Sequence, residues 1–188
     1  MVRKNEHMFE KMNLTPLGIT VLSWLARNPD KEFYVREITR AVYGSLGGCH
    51  KVLKNLYGKK LLNRRKSGRN VYYSVNDTNP AIKYFKIFMN IYEIHDIVQL
   101  LQDKSIKIVL FGSCAHGEDT TKSDIDILVI TNEVDETRRI LNSISLRRDI
   151  APVVLSPTDL MKLKERDKAF YSEVTGGIVL WGDSYEGI

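Results

Sequence analysis

The sequence predicts an α+β chain folded as two domains, on three observations. Charge is split unevenly: residues 1–79 carry 15 Lys+Arg against 6 Asp+Glu, while residues 80–188 carry 13 against 17, so the net +5 conceals a basic half and an acidic half. The basic half reads as short amphipathic helices followed by a basic hairpin, and the acidic half as apolar strands alternating with helices. A polar turn, Asn76-Asp77-Thr78-Asn79-Pro80, lies between them. The expected division is a first domain over 1–79, a linking helix over 80–102 and a second domain over 103–188.

Met1 to Asn13 reads as a polar lead-in. Thr15-Pro16 then starts a helix, Thr15 as N-cap and Pro16 at the first helical position, where its missing N–H costs nothing. Leu17, Val21, Leu22 and Leu25 form its apolar stripe, and Asn28-Pro29-Asp30 ends it. Phe33 to Val35 is expected as a short strand, Val35 to Val42 as a second helix and Leu46 to Tyr57 as a third, with Val52, Leu53 and Leu56 inward. Gly47-Gly48 costs this third helix about 1 kcal/mol per glycine against alanine. Either it begins after Gly48 or close packing requires the glycines. Strands Leu61–Arg65 and Val71–Val75 follow, joined by Lys66-Ser67-Gly68-Arg69-Asn70, with Val71, Tyr73 and Val75 on one face.

From His50 to Asn70 there are eight Lys or Arg and no acid: Lys51, Lys54, Lys59, Lys60, Arg64, Arg65, Lys66 and Arg69. The order of helix, short strand, two helices and basic hairpin resembles the winged helix-turn-helix of transcriptional regulators. That resemblance implies a third helix in the DNA major groove and a wing along the backbone. It names Ser45, His50, Lys51, Lys54, Arg64, Arg65, Lys66 and Arg69 as the DNA-binding residues, and double-stranded DNA as partner. Each phosphate contact releases condensed counterions, so binding would be salt-dependent.

The acidic half opens on a helical pattern from Ala81 to Gln102, whose apolar positions are wider than one stripe. Packing between domains and homodimerisation are both consistent with that. Next come an apolar run, Ile106 to Phe111, then Gly112-Ser113, Gly117, a polar tract to Ser123, and the strand Asp124 to Ile130. Side chains two apart on a strand share a face, so Asp124 and Asp126 project together, opposite Ile125, Ile127 and Val129. Adjacent carboxylates repel unless a cation or proton lies between them. Mg²⁺ (or Mn²⁺) takes a few carboxylate oxygens plus substrate phosphates, and a short turn of small residues exposes backbone amides to phosphate. A helix from Thr131 to about Ser145, a strand Ile150–Leu155, a helix from Ser156 to about Phe170 and a last strand Ile178–Trp181 complete the pattern.

Gly112-Ser113-Cys114-Ala115-His116-Gly117 followed by Ser123-Asp124-Ile125-Asp126 resembles the signature of the nucleotidyltransferase superfamily that includes DNA polymerase β, closest to its minimal members. The resemblance implies a small mixed sheet, with Gly112, Ser113 and Ser123 at a nucleoside triphosphate and Asp124 and Asp126 as catalytic, metal-holding acids. It also implies a third carboxylate on a neighbouring strand. By position that acid falls near 152, where this chain has Pro152. Asp149, three residues earlier, has the opposite strand parity and reaches the place only through a bulge or shifted register. Glu118 or Asp119 could substitute from the loop.

Three functions follow: a DNA-binding transcriptional regulator whose second domain binds Mg²⁺ and nucleotide; an active nucleotidyltransferase moving a nucleoside monophosphate to a protein or small-molecule hydroxyl; and an antitoxin-like partner of a protein target. Two cysteines far apart, Cys49 and Cys114, give no disulfide framework and fit a reducing compartment. With no signal-peptide pattern and no apolar run of spanning length, a cytoplasmic protein with no membrane partner is expected.

Overall fold

A computed structural model describes residues 14–183. The chain divides into two compact units, one up to Ile82 and one from Lys83 onward. The expected lead-in over 1–13 lies outside the described residues.

In the first unit, helix α1 (Pro16–Ala26) starts as its sequence requires: the Thr15 hydroxyl accepts the Gly18 amide at 3.1 Å. Strand β1 (Phe33–Tyr34), helix α2 (Val35–Ala41) and helix α3 (Leu46–Gly58) follow, then β2 (Leu62–Ser67) and β3 (Asn70–Val75). The three strands form an antiparallel sheet in the order β1-β3-β2. Val21, Leu22, Leu25, Ile38, Leu53 and Leu56 close the core from the helices, and Leu62, Tyr73 and Val75 from the hairpin. This is a winged helix-turn-helix. The hairpin ladder continues through Ser67↔Asn70, longer than the sequence pattern indicates, because Gly68 turns the chain at φ +58°.

The two glycines of α3 differ. A Cβ on Gly48 would lie 2.8 Å from the Ser45 hydroxyl and 3.0 Å from Leu17 Cδ2, whereas one on Gly47 meets nothing within 4 Å. The helix begins before both, and close packing explains only Gly48.

The second unit holds a four-stranded mixed sheet, order β6-β5-β4-β7, from β4 (Lys107–Leu110), β5 (Ile125–Ile130), β6 (Ile150–Leu155) and β7 (Ile178–Trp181). β5 and β6 run parallel; the other pairs are antiparallel. Helix α4 (Pro80–Glu93) leads into it and is followed by α5 (His95–Leu101). The single helix expected over 81–102 therefore breaks, at Ile94, whose φ −103° and ψ 7° leave the helical region. Next come the one-turn α6 (Gly112–His116), α7 (Val134–Ser143), α8 (Pro157–Arg166) and α9 (Lys168–Thr175). The helix expected from Ser156 to Phe170 also breaks, at Asp167, whose carboxylate accepts the Phe170 amide at 3.0 Å and so caps a new helix.

Alternation along β5 sorts the core into two layers. Ile125, Ile127 and Val129 join Ile94, Ile97, Leu101 and Leu141 on one face. Leu128 and Ile130 join Val109, Phe111, Leu163 and Val174 on the other. Among the described residues no helix is long and apolar enough to cross a membrane.

Candidate functional site

The Gly112-Ser113 turn and the two aspartates meet in one corner of the second unit. β4 and β5 pair up to Leu110↔Ile127, and the Phe111 amide donates to the Asp126 carbonyl at 3.0 Å, so the strand that ends at the turn lies beside the strand that carries the acids. Gly112 adopts φ +63°. A Cβ built there would collide with Asp126 Oδ2 and stand 3.0 Å from Asp126 Cγ. Glycine is needed twice over, for its backbone conformation and for the space the carboxylate occupies. No side chain caps the start of α6, and Gly117 closes the turn at φ +67°.

Asp126 is half-buried and Asp124 exposed. Burial first, then the charges of Asp124 and Glu173, push the Asp126 carboxyl above its ordinary pKa. The like charges of Asp124 and Glu173 beside Asp126 are what a divalent cation would relieve. The pair suits a hard cation that takes its other ligands from phosphate or water. Among the described residues no three His, Cys, Asp or Glu side chains are grouped to hold a metal on their own.

The loop between the turn and β5 is fixed from beneath by charges that sequence reasoning missed. Asp119 is fully buried, and Arg148 is 7 % exposed. Arg148 donates to Asp119 Oδ2 at 3.1 Å, to Asn90 Oδ1 at 2.9 Å and to Glu93 Oε2 at 2.7 Å. Asn90 in turn donates to Asp119 Oδ1 at 2.8 Å and to the Cys114 carbonyl at 3.0 Å. Lys86 donates to the Asp119 carbonyl and lies 3.7 Å from Oδ1. Burial works against the guanidinium charge, but the Glu93 hydrogen bond and the surrounding negative groups raise the Arg148 pKa on balance. Residues 86, 90 and 93 are spaced for one helical face, a polar ridge inside an otherwise apolar pattern. That spacing was the one readable signal. Arg148 and Asp119 gave none.

Asp119 is thus occupied as a strut of the loop, while Glu118 is exposed. Ser123 also serves the loop, its hydroxyl accepting the Thr120 amide at 2.9 Å. Cys114 is buried, and burial pushes its thiol pKa up, which removes it as a nucleophile. The register Asp126↔Ala151 puts Ala151, not Pro152, beside Asp126. The position expected for a third acid was therefore misplaced by one residue. Alternation then gives Asp149 the parity of Ala151, and its carbonyl accepts the Ile125 amide at 2.9 Å. No bulge is required, but Asp149 sits two pairs further along, just before β6 and level with Asp124.

In the first unit Ser45, His50, Lys51, Lys54, Arg64, Arg65, Lys66 and Arg69 are all exposed. The Ser45 hydroxyl accepts the Gly48 amide at 3.1 Å and serves as N-cap of α3. Alternation splits the basic run of β2. Arg64 and Lys66 share the face of buried Leu62, and Arg64 lies 5.9 Å over the Tyr57 ring of α3. Arg65 lies on the reverse face, stacked 4.9 Å over Tyr72 and bridged to Glu32 at 2.6 Å. If α3 and the wing contact DNA together, Arg64→Ala and Lys66→Ala should each lower the salt dependence of binding by about one counterion, and Arg65→Ala by much less. A gel-shift titration over salt concentration reads this directly; equal slopes for all three variants would refute the assignment of faces.

A family model described as "Polymerase beta, Nucleotidyltransferase" matches residues 93–186. The curated protein named "Putative protein adenylyltransferase MJ0141", from Methanocaldococcus jannaschii, is 32% identical over 71 residues, covering 34% of this chain and 72% of that protein. Among solved structures, MepR, a transcription regulator of the Staphylococcus aureus multidrug efflux pump MepA, is 21% identical, covering 50% of this chain and 69% of its own with a TM-score of 0.42. The homodimeric winged helix-turn-helix DNA-binding domain Mb0332 of Mycobacterium bovis is 17% identical, covering 50% and 93% with a TM-score of 0.37.

Proposed function

The chain belongs to the polymerase β nucleotidyltransferase family, and we propose that its second unit binds a nucleoside triphosphate with Mg²⁺ (or Mn²⁺) while its first unit, through the exposed basic residues of α3 and the hairpin, binds double-stranded DNA as a transcriptional regulator. The observation that carries the nucleotide reading is the close approach of Asp126 to Gly112, which puts a carboxylate against the turn that would receive the phosphates. Asp124 and Asp126 hold the cation; Gly112 and Ser113 receive the triphosphate; Ser123 keeps the intervening loop in shape. A bound cation would neutralise polyphosphate oxygens and the two acids together.

Binding is favoured over transfer because Ala151 stands beside Asp126 where a proton-accepting acid would be placed. Active transfer to a protein or small-molecule hydroxyl, including the antitoxin-like form, is the second reading. Incubation with labelled ATP and Mg²⁺ separates the two. Saturable binding that Asp126→Ala abolishes, with no label left on any acceptor, is the expected result. Label transferred by the parent and lost in Asp124→Asn would establish the enzyme instead, and no binding at all would remove the nucleotide reading.

The outer face of α4 presents Tyr84, Phe88 and Tyr92, four residues apart and exposed, with the last two rings stacked at 6.3 Å. We assign this ridge to the homodimer contact, since such an aromatic row is costly to leave in water. Sedimentation should show a dimer that Phe88→Asp converts to a monomer; an unchanged sedimentation coefficient would remove the assignment.

A further inference from the structure

Helix α2 ends in a turn that suits glycine at two successive positions, for two different reasons. The Gly44 amide reaches back to the Thr39 carbonyl at 3.1 Å, and Tyr43 adopts φ +53°. This left-handed residue just past a helix end is the one that glycine usually fills, because a Cβ there crowds the following carbonyl. Gly44 meets a separate demand: a Cβ on it would lie 2.9 Å from Cys49 Sγ and 3.1 Å from Leu17 Cδ1. The sequence supplies glycine where space requires it and tyrosine where conformation would favour glycine.

The fold gains nothing visible in return. Tyr43 is 97% exposed, so its ring buries almost no surface. A strained backbone carrying a solvent-exposed aromatic ring breaks two local rules at once, and such breaches concentrate at functional positions. Its location is specific: Tyr43 stands two residues before Ser45, the cap of α3, and the exposed face of that helix carries His50, Lys51 and Lys54. The chain entering a helix that lies in the major groove runs beside the sugar-phosphate backbone. A phenol suits that place, since its hydroxyl donates to a phosphate oxygen while the ring covers deoxyribose.

We infer that Tyr43 is a DNA-backbone contact, its hydroxyl donating to a phosphate and its exposed ring packed on the adjoining sugar. This rests on the reading of the first unit as a DNA-binding module and names a residue outside its basic set. A neutral donor releases no counterion, so the contact contributes affinity without adding to the salt dependence.

The test uses the full chain, a random-sequence 30-base-pair duplex at low salt, and two variants. Tyr43→Gly removes the strain and the ring together. It should melt higher than the parent by about 2–4 °C and yet bind the duplex roughly tenfold more weakly. Tyr43→Phe keeps the ring and the strain and should lose roughly threefold, with an unchanged melting temperature and salt slope. A Tyr43→Gly variant that binds as tightly as the parent overturns the inference. So does one whose oligomeric state changes while its DNA affinity does not, which would place Tyr43 in a contact between copies. If the parent itself shows no salt-dependent duplex binding, the DNA reading of the first unit falls and this inference falls with it.

Discussion

Arg148→Ala is expected to cost the second unit about 3–5 kcal/mol, the range for removing one partner of a buried ion pair. The size follows from what stays behind. Asp119 is fully buried and would lose the guanidinium 3.1 Å away, while Asn90 and Glu93 would lose theirs at 2.9 and 2.7 Å. Lys86 remains near Asp119, but at 3.7 Å from Oδ1 and with its closer bond to the backbone carbonyl. Urea unfolding read from the second unit measures the loss. Pairing the change with Asp119→Asn should recover part of it, because the uncompensated charge is then gone. A single-variant loss under about 1 kcal/mol would mean that the cluster behaves like a surface pair and does not brace the loop.

Asp126→Asn should act in opposite directions on the free and the liganded protein. Burial, Asp124 and Glu173 raise the Asp126 pKa in the fold above its unfolded value. A group raised in this way contributes stability that is fully present below the unfolded pKa and is lost as pH rises through the folded pKa. At neutral pH, above that window, the ionised side chain therefore works against the fold. An amide removes the charge. The melting temperature of the metal-free protein should rise by about 2 °C, and the advantage over the parent should shrink as pH falls through the raised folded pKa and be gone below the unfolded value of about 4. The stabilisation produced by ATP with Mg²⁺ should vanish, since ligand raises stability only through binding to the native state. A variant that still shows the ligand-induced shift would place the nucleotide elsewhere.

The sequence was legible where local rules and alternation suffice. Thr15-Pro16 marked its helix start, the hairpin announced itself through Val71, Tyr73 and Val75, and parity alone put Ile125, Ile127 and Val129 on one buried face with Asp126 off it, although β5 starts at Ile125 and leaves Asp124 outside the strand. What depends on pairing between distant segments was not legible. The Ala151↔Asp126 register moved the place of the expected third acid by one residue, because nothing along β6 alone fixes which neighbour it meets. Long apolar helical runs hid their breaks at Ile94 and Asp167. The buried cluster of Lys86, Asn90, Asp119 and Arg148 joins four residues spread over more than sixty positions. Only its helical spacing at 86, 90 and 93 leaves a trace in the chain.

Mn²⁺ in place of Mg²⁺ gives the most direct measurement of the nucleotide corner. Crystals grown with Mn²⁺ and a non-hydrolysable ATP analogue should show one anomalous peak between the Asp124 and Asp126 carboxylates. Triphosphate density should then lie over the Gly112-Ser113 turn, and both should disappear in Asp126→Ala. Ordered analogue bound elsewhere, or a metal peak that survives loss of the Asp126 carboxylate, would contradict the account.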